Sequence, residues 1–315
     1  MVKSLLNKFY YWSLPAAVCL GLLGFPAEAA AGGTAPEKEN PDSLAVVRAR
    51  WNTRRIQKGI VLKQFHFTDS SLFGSNQFIS IVEIDAPRKR RRPGKSHEIR
   101  IAAREKLTPV SVFAREEGAG VALNGSFFAL GKPYNSVDYL RIGGRELAPN
   151  ERKGPDRLMH QLGAVAVQDG NLYILKADTS AAWESTVRAE DLLTSGPLLR
   201  IGGRDEPLRE DSFYVTRHPR TAVGKTAGGK VLFIAVDGRS PQAGGMSLQE
   251  LQQVFRWLGA ADLLNLDGGG STTLYIRPDL LKGVSQEDGV VNHPTDNRKF
   301  DHAGARSVAN VLIVK

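Results

Sequence analysis

Cysteine is all but missing: one occurs in 315 residues, Cys19, inside an apolar N-terminal stretch. Beyond that stretch the chain has no disulfide, no thiolate zinc site and no cysteine nucleophile. That suits a bacterial periplasmic or extracellular protein better than an animal secreted one. No Gly-x-Gly-x-x-Gly opens a helix after a first strand, which disfavours a generic dinucleotide-binding fold. No metal-loop spacing of acidic residues occurs. No repeat is evident beyond a faint echo between Leu123-Asn124-Gly125-Ser126 and Leu266-Asp267-Gly268-Gly269. Acidic side chains number 33 against 42 basic ones, for a net charge of +9. A basic surface favours anionic polymers such as teichoic acids, phosphoglycans or lipid headgroups. Nucleic acid is not expected, because no recognition motif is present and export argues against it.

What is present begins with a leader. Lys3 and Lys8 form a basic start, an apolar stretch runs from Trp12 to Phe25, and Pro26-Ala27-Glu28-Ala29 offers a cleavage site. The pattern predicts a secretory signal peptide over residues 1–31, with an uncleaved anchor as the plainer alternative. Val18 before Cys19 argues against a lipoprotein cleavage box. Removing the leader takes Lys3, Lys8 and Glu28 and lowers the net charge by one. A secreted or periplasmic protein with no stable membrane insertion follows as an expectation. Residues 32–58 read as a linker and an N-terminal helix. Asp42 or Ser43 would cap it, it would run through Leu44, Val47 and Trp51, and Arg48, Arg50, Arg54, Arg55 and Lys58 make a basic tail. Residues 59–315 form one domain, long enough for a substantial core.

Within that domain Gly59 opens a strand over 60–67. Phe78 to Asp85 is a strand, and Ile99 to Ala103 is expected to return beside it after the basic run 87–94. That run is most simply a solvated hairpin loop, or else a contact for an anionic polymer. Thr108 to Arg115 reads as a short helix with Val110, Phe113 and Ala114 inward. Gly118 to Leu123 is a strand ending at Asn124-Gly125-Ser126-Phe127-Phe128. The runs 161–167 and 172–175 flank Asp169-Gly170-Asn171 as a hairpin.

The chain is organised around Leu263-Leu264-Asn265-Leu266-Asp267-Gly268-Gly269-Gly270-Ser271-Thr272-Thr273. Its first half suits a buried strand. Its three glycines cannot continue one, so the chain turns there and bares its backbone to a ligand. Upstream, Val231 to Val236 is a second apolar run ending in Asp237-Gly238-Arg239. Between them Ser247 and Glu250 make a capping box, Leu248, Leu251, Phe255 and Leu258 share one face, and Gly259 stops the helix. Strand, helix, strand predicts a right-handed unit with the two strands parallel and both acidic loops at one carboxyl edge.

Asp-Gly-Arg, a helix, then Leu-Asn-Leu-Asp-Gly-Gly-Gly-Ser resembles the phosphodiester glycosidase family. So do Asn124 to Phe128, the Ser195-Gly196-Pro197 element, Pro219-Arg220-Thr221, Asn292-His293-Pro294 and the closing Arg306 to Val314. One departure is Lys132-Pro133-Tyr134-Asn135-Ser136, where the family pattern leads one to expect a glycine soon after the proline. The resemblance implies cleavage of a sugar C1–O–phosphate linkage on the sugar side, and the hydrolysis is expected to need no cofactor. That reaction needs an anion grip, stabilisation of an oxocarbenium-like centre and delivery of water or a nucleophile. Arg220 and Arg239 suit the phosphate, with backbone amides of Gly268, Gly269 and Gly270 as an added cradle. Of Asp237 and Asp267, one would activate water or attack C1 and the other orient it, with Asp267 favoured for the space beside it. His218 would relay a proton or bind the phosphate. Asn124, Ser195, Ser271 and Thr272 would bind sugar hydroxyls, and Arg306 would clamp phosphate or close an ion pair.

Each residue also has a plainer role. A lone Asp-Gly is usually a turn, Asn124 a turn former, and Phe127 or Phe128 core packing. His293 and His302 read as structural or exposed. Two further readings stay open: oxygens of Asp237, Asp267 and Asn124 holding Ca²⁺ or Mg²⁺, and a non-catalytic envelope protein binding anionic glycans. The expectation is a single α/β domain of mixed α+β character, with a mixed β-sheet flanked by helices, preceded by a signal peptide. Its substrate would be an anionic glycan or sugar phosphodiester.

Overall fold

A computed structural model describes residues 40–86, 97–150, 152, 157–281 and 288–315. The expected signal peptide, most of the linker and the basic run 87–94 lie outside these residues. The described chain is α+β and dominated by three sheets. The first has eight strands, ordered β1 (Asn52–Gln57), β2 (Ile60–Leu72), β3 (Ser75–Ile84), β14 (Val231–Val236), β13 (Arg220–Thr226), β15 (Ala260–Asn265), β11 (Leu198–Ile201) and β12 (Arg204–Asp205). The second is β7 (Arg145–Ala148), β6 (Leu140–Ile142), β10 (Asp191–Ser195), β8 (Gly163–Gln168) and β9 (Asn171–Lys176). The third is β16 (Leu274–Ile276), β5 (Val121–Asn124), β17 (Ser307–Val314) and β4 (Ile99–Pro109). The helices are short: α1 (Pro41–Arg48), α2 (Val110–Glu116), α3 (Trp183–Thr186), α4 (Ser212–Val215) and α5 (Leu248–Trp257).

Every pairing among the described strands is antiparallel, which corrects the expected mixed sheet. β14 and β15 do run in the same direction, but β13 lies between them and is antiparallel to both. Gly229, at φ +83°, turns β13 directly into β14. The helix between β14 and β15 suggested that they were parallel neighbours, and β14 is covered on both faces as such a strand would be. Here other layers supply the cover. Leu232, Ile234 and Val236 pack under α1 and α5 with Val46, Leu248, Leu251 and Phe255. Phe233 and Ala235 pack with Val82 and Leu264 against Ile101, Leu123, Val165 and Leu312 of the other two sheets. Each large side chain buried in this way contributes about 2 kcal/mol.

α5 forms as its sequence dictates. The Ser247 hydroxyl accepts from the Glu250 N–H at 3.1 Å, the Glu250 carboxylate accepts from the Ser247 N–H at 2.9 Å, and Gly259 follows at φ +82°. Asp169 and Gly170, both at positive φ, close the expected β8–β9 hairpin. Other expectations need correction. β4 does not return beside β3, whose two edges are taken by β2 and β14; it pairs with β17. α1 is capped by Asn40, and Val46 faces inward while Val47 is 61% exposed. Trp51 lies beyond that helix, against Phe65 and Phe67. The basic tail around Arg54 is strand β1, and it joins the sheet through β2.

Candidate active site at the carboxyl edge of β14 and β15

Because β14 and β15 run the same way, their loops leave the sheet at one edge, and β13 begins there with Arg220 opposite Val236. The backbone of Pro219 is gripped between the two loops. A Cβ on Gly238 would sit 2.6 Å from the Pro219 nitrogen, and one on Gly268 would sit 2.6 Å from its carbonyl oxygen. The Gly269 N–H donates to that oxygen at 2.8 Å, and Gly269 itself is at φ +61°. Glycine is therefore demanded by close backbone approach as well as by conformation. The bared backbone meets guanidinium groups. Nη2 of Arg239 lies 3.1 Å from where a Gly269 Cβ would be, and Nη2 of Arg306 lies 2.6 Å from the same point on Gly270. Asp237, Asp267, Arg220, Arg239 and the triple-glycine corner thus share one edge.

The cations differ in what they can do. Arg239 is exposed, holds a left-handed backbone at φ 60°, and has no carboxylate partner among the described residues. Strain retained in an exposed arginine points to use rather than to packing. Arg306 is half-exposed and paired with Asp296. Arg220 is buried. Its Nε donates to the Met246 carbonyl at 2.8 Å, and Nη2 donates to the carbonyls of Thr216 and Phe213. Burial, then the charge of Arg239, lowers its pKa to about 10, so it stays cationic at neutral pH. These bonds make it a brace with reduced capacity for phosphate. His218 is half-buried, and burial followed by Arg220 and Arg239 lowers its pKa, which favours the neutral imidazole.

Asp267 is mostly enclosed, with a partly open side. Burial raises its pKa to about 6; the Ser271 hydroxyl, Arg306 and the Gly268 N–H favour the charged form but do not offset this. Its backbone is fixed from both ends. The Asp267 N–H donates to the Gly125 carbonyl at 3.0 Å, and Asn124 Nδ2 donates to the Asp267 carbonyl at 2.6 Å. Asn124 is fully buried, and its Oδ1 accepts from Thr221 Oγ1 and the Thr273 N–H. It is an internal strut and does not face a sugar, contrary to expectation. Ser195, Ser271 and Thr272 are likewise fully buried. Gly125 must also be glycine, since a Cβ would overlap Asn310. The expected amide cradle is partly spent, because the Gly269 N–H serves Pro219.

Asp237 is fully enclosed, and its oxygens accept from Asn292 Nδ2 at 3.0 Å, the His293 N–H at 3.0 Å and His293 Nδ1 at 2.7 Å. A carboxylate at Nδ1 fixes that proton and leaves Nε2 as an acceptor. The His293 ring is sandwiched between Phe300, at 3.8 Å, and His302, at 4.5 Å, so only its edge is open. From the sequence His293 reads as structural or exposed, since its carboxylate partner is 56 positions away. With Asp237 and Asn124 oxygens satisfied in this way, the donor set does not suit a hard cation. Among the described residues no group of three or more His, Cys, Asp or Glu could hold a metal ion.

Fold and site together define an antiparallel α+β protein with an acid, an Asp–His pair and arginines around a glycine corner. The chain belongs to the phosphodiester glycosidase family, whose match covers residues 117–315. Among solved structures, it resembles a hypothetical protein from Synechocystis (TM-score 0.58, 17% identity), with 84% of this chain and 64% of that chain covered. It also resembles the catalytic domain of zebrafish N-acetylglucosamine-1-phosphodiester α-N-acetylglucosaminidase, auto-inhibited by its pro-peptide (TM-score 0.56, 19% identity), with 81% and 82% covered. These likenesses show a shared fold. A Bacillus subtilis (strain 168) SPbeta prophage-derived uncharacterized protein, YomE, is 30% identical over 108 residues, covering 30% of this chain and 16% of that protein. The chain thus spans less than two thirds of the length of the Bacillus and Synechocystis proteins.

Proposed function

We propose that the protein is an exported hydrolase that cleaves the sugar C1–O bond of glycosyl-1-phosphodiesters in envelope or extracellular glycans. The observation that carries this reading is Asp267. It is a carboxylate poised to titrate near 6, beside guanidinium groups that lie directly on glycine backbone. Arg239 and Arg306 grip the phosphodiester anion, and neutral His218 adds a hydrogen bond. Asp267 accepts a proton from water, whose oxygen bonds to C1. The C1–O electron pair leaves on the phosphate monoester, which needs little protonation to depart. Asp237 orients His293, whose open edge is a second acid–base group beside the reacting centre. Export rests on the leader pattern, and a basic surface suits the anionic substrate.

Turnover of hexose-1-phosphodiesters in ¹⁸O-labelled water tests the reading. Label is expected in the sugar and not in the phosphate, with a loss of about 10³-fold or more in Asp267→Asn while the fold stays intact. Label in phosphate would overturn C1–O cleavage. Saturable binding of anionic glycans without turnover would favour the non-catalytic envelope protein that the net charge of +9 also suits.

A further inference from the structure

The molecule contains a second Asp–His pair, built like the first. Asp138 is fully enclosed, and both its carboxylate oxygens lie 2.7 Å from Nδ1 of His160. The imidazole keeps 14% of its side-chain surface open. Nδ1 is thereby committed, and Nε2 is left as an acceptor. Two separate routes tie this pair to the Asp267 loop. The His160 ring packs 5.5 Å from Phe127, whose segment holds Asp267 through Asn124 and Gly125. The His160 backbone packs on Gly196, where a Cβ would lie 3.1 Å from the His160 Cα. The Gly196 carbonyl accepts from Asn265 Nδ2, two residues before Asp267. Phe127 is partly exposed, and its other ring neighbour is Phe213, whose face carries the Arg220 guanidinium at 5.4 Å. An apolar ring beside a fixed polar acceptor matches a sugar, which has C–H faces and hydroxyl edges.

We propose that His160, held by Asp138, is a sugar-specificity residue whose Nε2 accepts a hydrogen bond from one sugar hydroxyl while Phe127 packs on the ring face. Arg239 and Arg306 lie on Gly269 and Gly270, so the phosphate occupies that flank and the sugar the Gly196 flank. This assignment rests on the glycosyl-phosphodiester reading.

The experiment measures His160→Gln and Asp138→Asn against a panel of hexose-1-phosphate methyl diesters, each lacking one hydroxyl. His160→Gln is expected to lower kcat/KM about 10- to 100-fold on the parent and by less than about threefold on one monodeoxy analogue. Asp138→Asn, which weakens the hold on the imidazole, is expected to show the same pattern with a smaller loss. An equal loss across the panel, or none, overturns the proposal. Long-range ¹H–¹⁵N spectra of the wild-type protein give a readout that needs neither turnover nor a folded variant. Hexose 1-phosphate is expected to shift the His160 Nε2 resonance, and inorganic phosphate is not. If no diester is hydrolysed, the functional reading fails while this shift still decides the sugar subsite; no shift overturns it.

Discussion

Asp267 titrates near 6 where an ordinary aspartate titrates at 3.8, so folding binds its proton more tightly than unfolding does. The sign follows from linkage. The neutral acid costs nothing extra below pH 3.8, and the cost of burying the charge grows as pH rises through 6. At pH 8 it approaches about 2 kcal/mol, allowing for the open side of the residue. Asp267→Asn is therefore expected to melt higher than wild type at pH 8 and to match it at pH 4. The same group sets an acid limb of kcat/KM near pH 6, if its ionised form accepts the proton. Thermal melts and a pH–rate profile on one preparation check both; a variant destabilised at pH 8 would show that the carboxylate is a net stabiliser. That Asp237 and Asp267 leave the fold at one edge was legible in the sequence, because a helix joining two strands that run the same way sends both following loops to that edge. The Asp237–His293 and Asp138–His160 pairs were not, since nothing local links an aspartate to a histidine on another element. Asn124 misled for a related reason. Its polarity was visible, but not the three bonds that consume it.

At the scale of elements, the helix behind the site is the best specified. α5 carries its capping box one residue past the Met246 carbonyl that braces Arg220, and its glycine stop at the opposite end. Ser247→Ala removes one cap and is expected to cost about 1 kcal/mol. Gly259→Ala forces a side chain into φ +82° with open space around it, for about 1 kcal/mol of pure backbone strain. Both should lower the melting temperature by a few degrees and leave kcat/KM unchanged within about twofold. A large drop in activity would mean that α5 transmits strain to the loops. Strand partners were harder to read than strands. β14 and β15 looked like neighbours because one helix joins them, and β4 looked like the return of β3 because it comes next. In each case the partner is chosen by edges already occupied. The turn at Lys132 to Ser136 shows the converse. Where the family pattern suggested glycine, Tyr134 and Asn135 adopt φ 49° and 51° themselves. The Asn135 side chain donates to the Glu105 carbonyl, which helps hold that geometry.

Across the whole molecule, three sheets, α1 and α5 hold the two acidic loops against the backbone of Pro219, so the site inherits the rigidity of a core buried on both faces. Charge acts at longer range. A net charge of +9 draws anions toward the molecule from beyond contact distance, and salt shortens that reach from about 10 Å at 0.1 M to about 3 Å at 1 M. Screening weakens the approach of the anion more than its short-range contacts once bound. For an anionic diester, raising salt from 20 mM to 500 mM is therefore expected to lower kcat/KM about tenfold with kcat nearly unchanged, because capture weakens and chemistry does not. An uncharged aryl glycoside of the same sugar, if turned over at all, should show no such fall. Replacing Arg239 with Gln should flatten the salt dependence of the diester, since it removes the cation nearest the bared backbone that has no acidic partner among the described residues. An unchanged slope in that variant would place phosphate capture elsewhere on the basic surface, and Arg239 would then owe its strained conformation to the loop and not to the ligand.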